Sequence, residues 1–534
     1  MAISFDRFSR LFARAWYPTE NQLKPSGSSP VRGPAAFCPY RPGEGRIMDQ
    51  AQIVLVTLVA YKLILILVGV WASRRNRTEA DFFLASQGVG AWVSGLSYAA
   101  STSSAWVLLG FTGFVYATGL SALWMVPGIW GGYVAVWLWF GRRLRTETGE
   151  LGHVTLTDFI TARVRGKLRA IIALTASLFI VFCFIFYIAA QFGAAADAFE
   201  TQFGLGTTES VLIGAAVVLI YALLGGYWAV SVTDMLQGGL MMIVSVALPI
   251  AALVAAGGPE WVWGTLQSNA PAGFLDITGG HVGFVLGGFV LGVWGVGVGA
   301  LGQPHLLARL MAVKDEAARR RGFLIAIVWA VVVFTGMTVL ALSGRALLGG
   351  GSNGEALFYQ LASDLLPPVI AGIVIAAILS AVMSTVDSIL LSASAAVAHD
   401  AGVSKLLPGH EVLVSRLVMG VIAALAVWLT LTVEATIFAR VLFAWSALGA
   451  AFGPIVVMRV IGREPGGLAI LAAMVLGFSL TVFFNAMGQI DPATLSGPAV
   501  MAADWARLPG DPFERIFPWV CALLVVWFGS RKHA

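Results

Sequence analysis

The chain has 534 residues, of which 58% are hydrophobic and only 11% charged, and its formal net charge is +5. A water-soluble domain carries about 25% charged residues, so this composition excludes a soluble fold. The basic excess does not point to nucleic acid either, because Lys and Arg fall in short segments between apolar runs and not in one solvated patch.

Runs of about 20 apolar residues recur along the chain, each long enough to cross a hydrocarbon layer of about 30 Å. The fold class expected is therefore an all-α polytopic membrane protein of about 13 transmembrane helices, with the lipid bilayer as its solvent. Cys38, Cys183 and Cys521 lie far apart, and no metal-binding HExxH, phosphate loop or GxSxG elbow occurs. Nothing here suggests an enzyme, a catalytic residue or an organic cofactor.

Residues 1–47 are rich in Pro, Gly and Ser towards their end and show no periodicity, which predicts a disordered tail or a misassigned start ahead of Met48. The predicted spans are 51–72, 89–115, 121–141, 170–192, 209–228, 232–256, 280–301, 323–345, 367–397, 413–432, 438–459, 466–486 and 514–529. Span 1 holds a lysine, Lys62, which is costly there unless it reaches an interface or a crevice.

Arg74, Arg75 and Arg77 follow span 1, and Arg142, Arg143 and Arg145 follow span 3. Arg163, Arg165, Lys167 and Arg169 precede span 4, and Arg309, Lys314 and Arg319 to Arg321 separate spans 7 and 8. The positive-inside bias makes these segments cytoplasmic, with the N-terminus outside and the C-terminus inside.

Spans 2 and 7 are not expected to be plain helices. Span 2 carries Ser97-Tyr98-Ala99-Ala100-Ser101-Thr102-Ser103-Ser104, and span 7 is glycine-rich and runs into Gly302-Gln303-Pro304. Unwound backbone at bilayer depth is tolerated only where it lines a cavity or a site. The two spans lie an odd number of spans apart, so their halves run in opposite directions, as inverted repeats require. In span 9, a helix turning ~100° per residue puts Ala381, Ser384, Thr385 and Ser388 on one face, offering the oxygens a hard cation prefers.

Several segments carry a resemblance to a known family. These are Ala91-Trp92-Val93-Ser94-Gly95-Leu96-Ser97, Gly225-Gly226-Tyr227-Trp228-Ala229-Val230-Ser231-Val232-Thr233-Asp234, Gly302-Gln303-Pro304-His305, Ala381-Val382-Met383-Ser384-Thr385 and Gly449-Ala450-Ala451-Phe452-Gly453-Pro454. In order and position they resemble the sodium/solute symporter family, most closely its sodium/proline symporters.

The resemblance implies a transporter domain over 48–534 with a five-plus-five inverted-repeat core, about 89–256 and 280–459. It implies sodium-coupled uptake of a small solute by alternating access in a bacterial-type inner membrane, with an amino acid such as proline or a related small carboxylate as the expected solute. A sodium site is implied at Ala100, Ser103, Ala381, Ser384 and Thr385, and solute contacts at Trp106, Tyr187, Trp294, Gln303 and Pro304. Val296 and Ala300 stand where those relatives carry rings, and Thr102 where they carry an Asp. Some relatives hold a second ion near Asp234 and Ser388; with Asp387, which replaces a hydroxyl, these residues are a possible second cation or proton site. A proton-coupled symporter, or a sensor of this fold acting through a separate signalling partner, are the competing readings.

Overall fold

The computed structural model describes residues 50–73, 83–224 and 226–532. The predicted tail and Arg74, Arg75 and Arg77 lie outside them.

Where the solvent offers no hydrogen bonds, an apolar run has to satisfy its own backbone, and these runs do so as helices. In chain order they are α1 (Gln50–Ser73), α2 (Ala91–Ala105), α3 (Met125–Val134), α4 (Lys167–Phe203), α5 (Thr207–Leu224), α6 (Tyr227–Ala255) and α7 (Gly283–Gly299). There follow α8 (Glu316–Leu348), α9 (Pro368–Ala395), α10 (Glu411–Thr432), α11 (Ile437–Val460), α12 (Gly467–Gln489) and α13 (Phe517–Phe528).

Among the described residues, ten helical runs are long and apolar enough to cross a membrane, against the 13 spans expected. One of the ten is a 61-residue run, Ala91–Leu151, that contains predicted spans 2 and 3. Predicted spans 5 and 13 fall on α5, whose apolar part is Thr207–Ile220, and on the 12-residue α13.

Burial sorts the helices into layers. The most apolar window of α11 is 94% buried and that of α9 83%, whereas that of α1 is only 22% buried. So α9 and α11 form the centre and α1 the rim. Large apolar side chains such as Leu67, Phe284, Leu468 and Phe528 point outwards, which is the surface a helix bundle presents to lipid.

The helices at the two expected places are broken. Ser104 leaves helical geometry (φ 50°, ψ −170°), and the chain resumes through a wide π turn at Trp106–Phe111 before Thr112–Thr118. α7 ends at Gly299, tightens through Ala300–Gly302, extends at Gln303 (φ −82°, ψ 111°) and restarts as the helix Pro304–Met311. Proline suits that restart, since the first turn of a helix has no use for its missing N–H.

The loops predicted to share one side do meet. Glu464, on strand β1 (Arg463–Pro465), lies 3.5 Å from both Arg143 and Arg163, and β1 pairs antiparallel with β2 (Ser530–Lys532). Arg145 donates to the carbonyls of Val313 (3.2 Å) and Lys314 (2.7 Å). The basic segments thus gather at one end of the bundle.

Close helix approach depends on missing side chains. A Cβ at Gly297 in α7 would lie 1.8 Å from the Gly128 carbonyl of α3, and one at Gly336 in α8 1.8 Å from the Ser245 carbonyl of α6. Gly336→Ala is therefore expected to destabilise the protein by about 1–3 kcal/mol as α6 and α8 are forced apart. The thermal unfolding midpoint of the purified protein in detergent checks this, and an unchanged midpoint would mean the contact yields freely.

Candidate functional site

Inside the bundle the charged side chains must find partners, and one of them finds many. Arg309 is 2% exposed on the short helix that follows the break in α7. Its Nε donates to Ser97 Oγ at 3.0 Å, and its Nη1 to the His305 carbonyl at 2.9 Å. Nη2 reaches Ser101 Oγ at 2.5 Å, Asp234 Oδ2 at 2.6 Å and Ser388 Oγ at 2.6 Å. Asp234 is itself fully buried, and its Oδ2 also accepts from Ser97 (2.8 Å) and Ser101 (3.3 Å). One guanidinium thereby joins α2, α6, α9 and the broken end of α7.

This corrects the assignment of Arg309 to a basic loop. The whole helix Pro304–Met311 is buried except Ala308, which is partly so, and the apolar Leu306, Leu307, Leu310 and Met311 around Arg309 were the available signal. It also bears on the residues expected at the second ion site. Asp234 and Ser388 do sit together, but the charge between them is a fixed guanidinium, and among the described residues no hydrogen bond links them to Asp387.

The residues expected to hold sodium meet where α2 crosses α9. Ala100, Ser103, Ala381, Ser384 and Thr385 are all buried, and Ser101 Oγ donates across the crossing to the Ser384 carbonyl at 3.0 Å. Ser384 Oγ bonds back to the Ala381 carbonyl at 3.1 Å, while Ser103 Oγ and Thr385 Oγ1 have no hydrogen-bond partner. Thr102 Oγ1 turns back onto the Tyr98 carbonyl (2.6 Å). The donors available are hydroxyl and carbonyl oxygens with no carboxylate among them, a set that fits a small hard cation.

Beside this crossing lies a narrow cavity with a free volume of about 20 Å³, room for about one water molecule. α2 contributes Thr102 and Ser103, its continuation Trp106 and Val107, α3 Tyr133, α4 Tyr187 and α7 Val296, with Ala300 beyond its end. Trp445 of α11 closes it, its Nε1 bonded to the Val296 carbonyl at 2.6 Å. Among the described residues, four buried polar atoms on residues of its walls have no partner within ordinary hydrogen-bond geometry: Ser103 Oγ, Trp106 Nε1, Tyr133 Oη and Tyr187 Oη. Unsatisfied groups converging on one space are what a ligand or water would satisfy.

Trp106 and Tyr187 line this cavity as the sequence suggests, but the remaining three expected solute contacts do not. Trp294 is 39% exposed and faces Trp124, with ring centroids 6.5 Å apart, because it lies on the side of α7 turned away from the core. Gln303 bridges the broken helix to α11 through the carbonyls of Gly299 (3.2 Å) and Trp445 (2.9 Å). Pro304 lines a different cavity with His305, Arg309 and Ser388, nearer the basic end. Tyr133 and Trp445 were missed; on helices buried all round, residue type alone does not say which face meets the cavity.

At the basic end, Asp158 on the helix Leu156–Thr161 meets His399 Nε2 at 3.1 Å and Arg169 Nη2 at 3.1 Å. Burial works against the charged carboxylate, but the His399 hydrogen bond and charge, together with the Val154 N–H, pull its pKa down to about 2. The carboxylate is thus saturated by partners of its own.

A family model described as the sodium:solute symporter family matches residues 82–486. The sodium/proline symporter of Salmonella typhimurium is 31% identical to this chain over 82% of it and 88% of the relative. That of Escherichia coli is 32% identical over the same shares. The solved structure of a Na+-coupled sialic acid symporter, in a substrate-bound outward-open state, superposes with a TM-score of 0.67 at 18% identity, covering 90% of this chain and 99% of the other. That likeness establishes a shared fold.

Removing the buried guanidinium should be severe. Arg309→Gln leaves Asp234 charged and unpaired at an expected cost of about 3–5 kcal/mol. Arg309→Lys keeps the charge but not the fork, and should cost about 1–3 kcal/mol. Thermal midpoints in detergent check the ranking; equal midpoints for wild type and Arg309→Gln would remove the pair from the stability of the bundle.

Proposed function

The chain belongs to the sodium:solute symporter family, and on that premise we propose that it carries proline, or a closely related small amino acid, inward with sodium. The observation that carries the solute reading is the set of four buried polar atoms, without a hydrogen-bond partner among the described residues, on the walls of one narrow cavity that has to widen to admit a solute. The indole and phenol donors of Trp106, Tyr133 and Tyr187 suit a carboxylate, and the ring faces of Trp106, Tyr187 and Trp445 suit a compact apolar ring. No charged side chain lines the space, which favours a zwitterion over an ion of net charge.

In this reading sodium binds at the Ala100, Ser103 and Ala381, Ser384, Thr385 oxygens. Ser103 belongs both to that set and to the cavity wall, so an ion that fixes the α2–α9 crossing also fixes the wall that the solute meets. Binding of one then favours binding of the other, which is what coupling requires. The broken helices α2 and α7 line the site about which the bundle rocks. The basic end faces the cytoplasm in a bacterial-type inner membrane, which puts the C-terminus inside. One net positive charge moving inward supplies about 2.3 kcal/mol per 100 mV, enough for about 40- to 50-fold accumulation.

Proteoliposomes with an inward sodium gradient should accumulate labelled proline, with unlabelled small amino acids competing. Trp106→Ala should cut that uptake by at least about tenfold, the ~1.4 kcal/mol of a lost ring contact, at unchanged membrane abundance. Near-normal uptake by the variant would take Trp106 out of the solute site. Accumulation of a different solute and not proline would replace the substrate class while leaving the family in place.

A further inference from the structure

α1 is the most lipid-exposed of the long helices, yet it carries a lysine. It lies along α9, with Tyr61 Oη 2.6 Å from Ser380 Oγ, Lys62 Nζ against Met383 Sδ, and Gly372 seated beside Thr57 and Val54. Ser380, Met383 and Asp387 are spaced i, i+3, i+7, so they form one stripe of α9 facing α1. Asp387, the next turn along that stripe, is fully buried, and among the described residues neither of its carboxylate oxygens has a hydrogen-bond partner.

The charged groups acting on Asp387 are Lys62 from α1 and Asp234 from α6. Behind Asp234 stands Arg309, which is bonded to Asp234, Ser97, Ser101, Ser388 and the His305 carbonyl. Among the described residues, that leaves Lys62 as the cation for Asp387. A thioether is a weak acceptor, so the ammonium one turn away from a bare carboxylate has every reason to turn to it.

We propose that the Lys62 ammonium is the tethered counter-cation of Asp387: the pair pins the rim helix α1 to the central helix α9, and the carboxylate takes no coupling ion from solution. A charge supplied by the chain itself replaces one that would otherwise be bound and released in each cycle. In that arrangement the ion carried inward is only the one held where α2 crosses α9. This last point rests on the sodium-coupled reading above, whereas the pairing itself does not.

The test uses the full-length protein purified in detergent, with Lys62→Met, Asp387→Asn and the double variant, each melted at pH 6 and pH 8. Lys62→Met should be less stable than wild type, and more so at pH 8. A buried carboxylate without its ammonium is tolerated only when protonated, so its penalty is relieved as pH falls. The double variant should recover most of the loss and melt with the wild-type pH dependence. A Lys62→Met pH profile that superimposes on wild type, or a double variant no more stable than the worse single one, would overturn the pair. In proteoliposomes the double variant should keep the wild-type half-saturation for sodium within about twofold. A larger shift would show that Asp387 does hold a coupling ion, whatever the melting result.

Discussion

The buried pairing of Arg309 with Asp234 is the constraint around which the centre of this bundle is arranged. A guanidinium has five N–H donors in a fixed plane, and inside a membrane each one left unmade is expensive. Here each of the three guanidinium nitrogens finds a partner, in α2, α6, α9 or the helix's own backbone, so moving one of those elements away from the others strands a charge. Burying a charge pair is not in itself strongly stabilising, because desolvation offsets most of the attraction, but breaking one is costly. The pair therefore acts more through geometry than through net stability. It fixes where the restarted end of α7 meets the first repeat. Two hydroxyls that it engages, Ser101 and Ser388, stand at the α2–α9 crossing, and Ser101 also holds the Ser384 carbonyl there.

The two breaks create backbone groups that the bilayer cannot satisfy, and side chains of the breaks themselves and of neighbouring helices meet several of them. At the α2 break, Gln191 of α4 accepts from the Ala105 N–H at 3.2 Å, and Ser104 Oγ accepts from the Trp106 N–H at 3.0 Å. At the α7 break, Gln303 and Trp445 do the same work for the carbonyls of Gly299 and Val296. Among the described residues, Ser103, Trp106, Tyr133 and Tyr187 on the cavity walls and Thr385 at the crossing keep buried side-chain atoms without a partner, as do others elsewhere in the bundle.

The helices were readable from the sequence because lipid removes the alternatives: an apolar run of that length has to be helical. The breaks were readable for the opposite reason, since the Ser-rich stretch before Ser104 and Gly302-Gln303-Pro304 are poor material for a continuous helix. Charge was harder. Counting basic residues by loop assumes that they are solvated, and Arg309 is not. Aromatic positions were harder still: Trp294 and Trp445 are alike in sequence context, and only packing shows that one faces Trp124 and the other the cavity. The pairing of Lys62 with α9 joins residues more than 300 positions apart, and nothing local in either segment announces it.

The account turns on an ion held by oxygens where α2 crosses α9, and Thr385, with its unpartnered hydroxyl, is the residue through which to test it. The direct measurement is the thermal midpoint of the purified protein as sodium replaces choline at constant ionic strength, in wild type and in Thr385→Val. A ligand that binds only the folded state raises stability by RT ln(1 + [L]/Kd), about 2.7 kcal/mol at a hundred times Kd. Wild type should therefore stabilise progressively with sodium, and Thr385→Val, which removes one hydroxyl at nearly constant volume, should need at least about tenfold more sodium for the same rise. Superimposable sodium titrations of the two proteins would contradict the site, and with it the assignment of the crossing as the point of coupling.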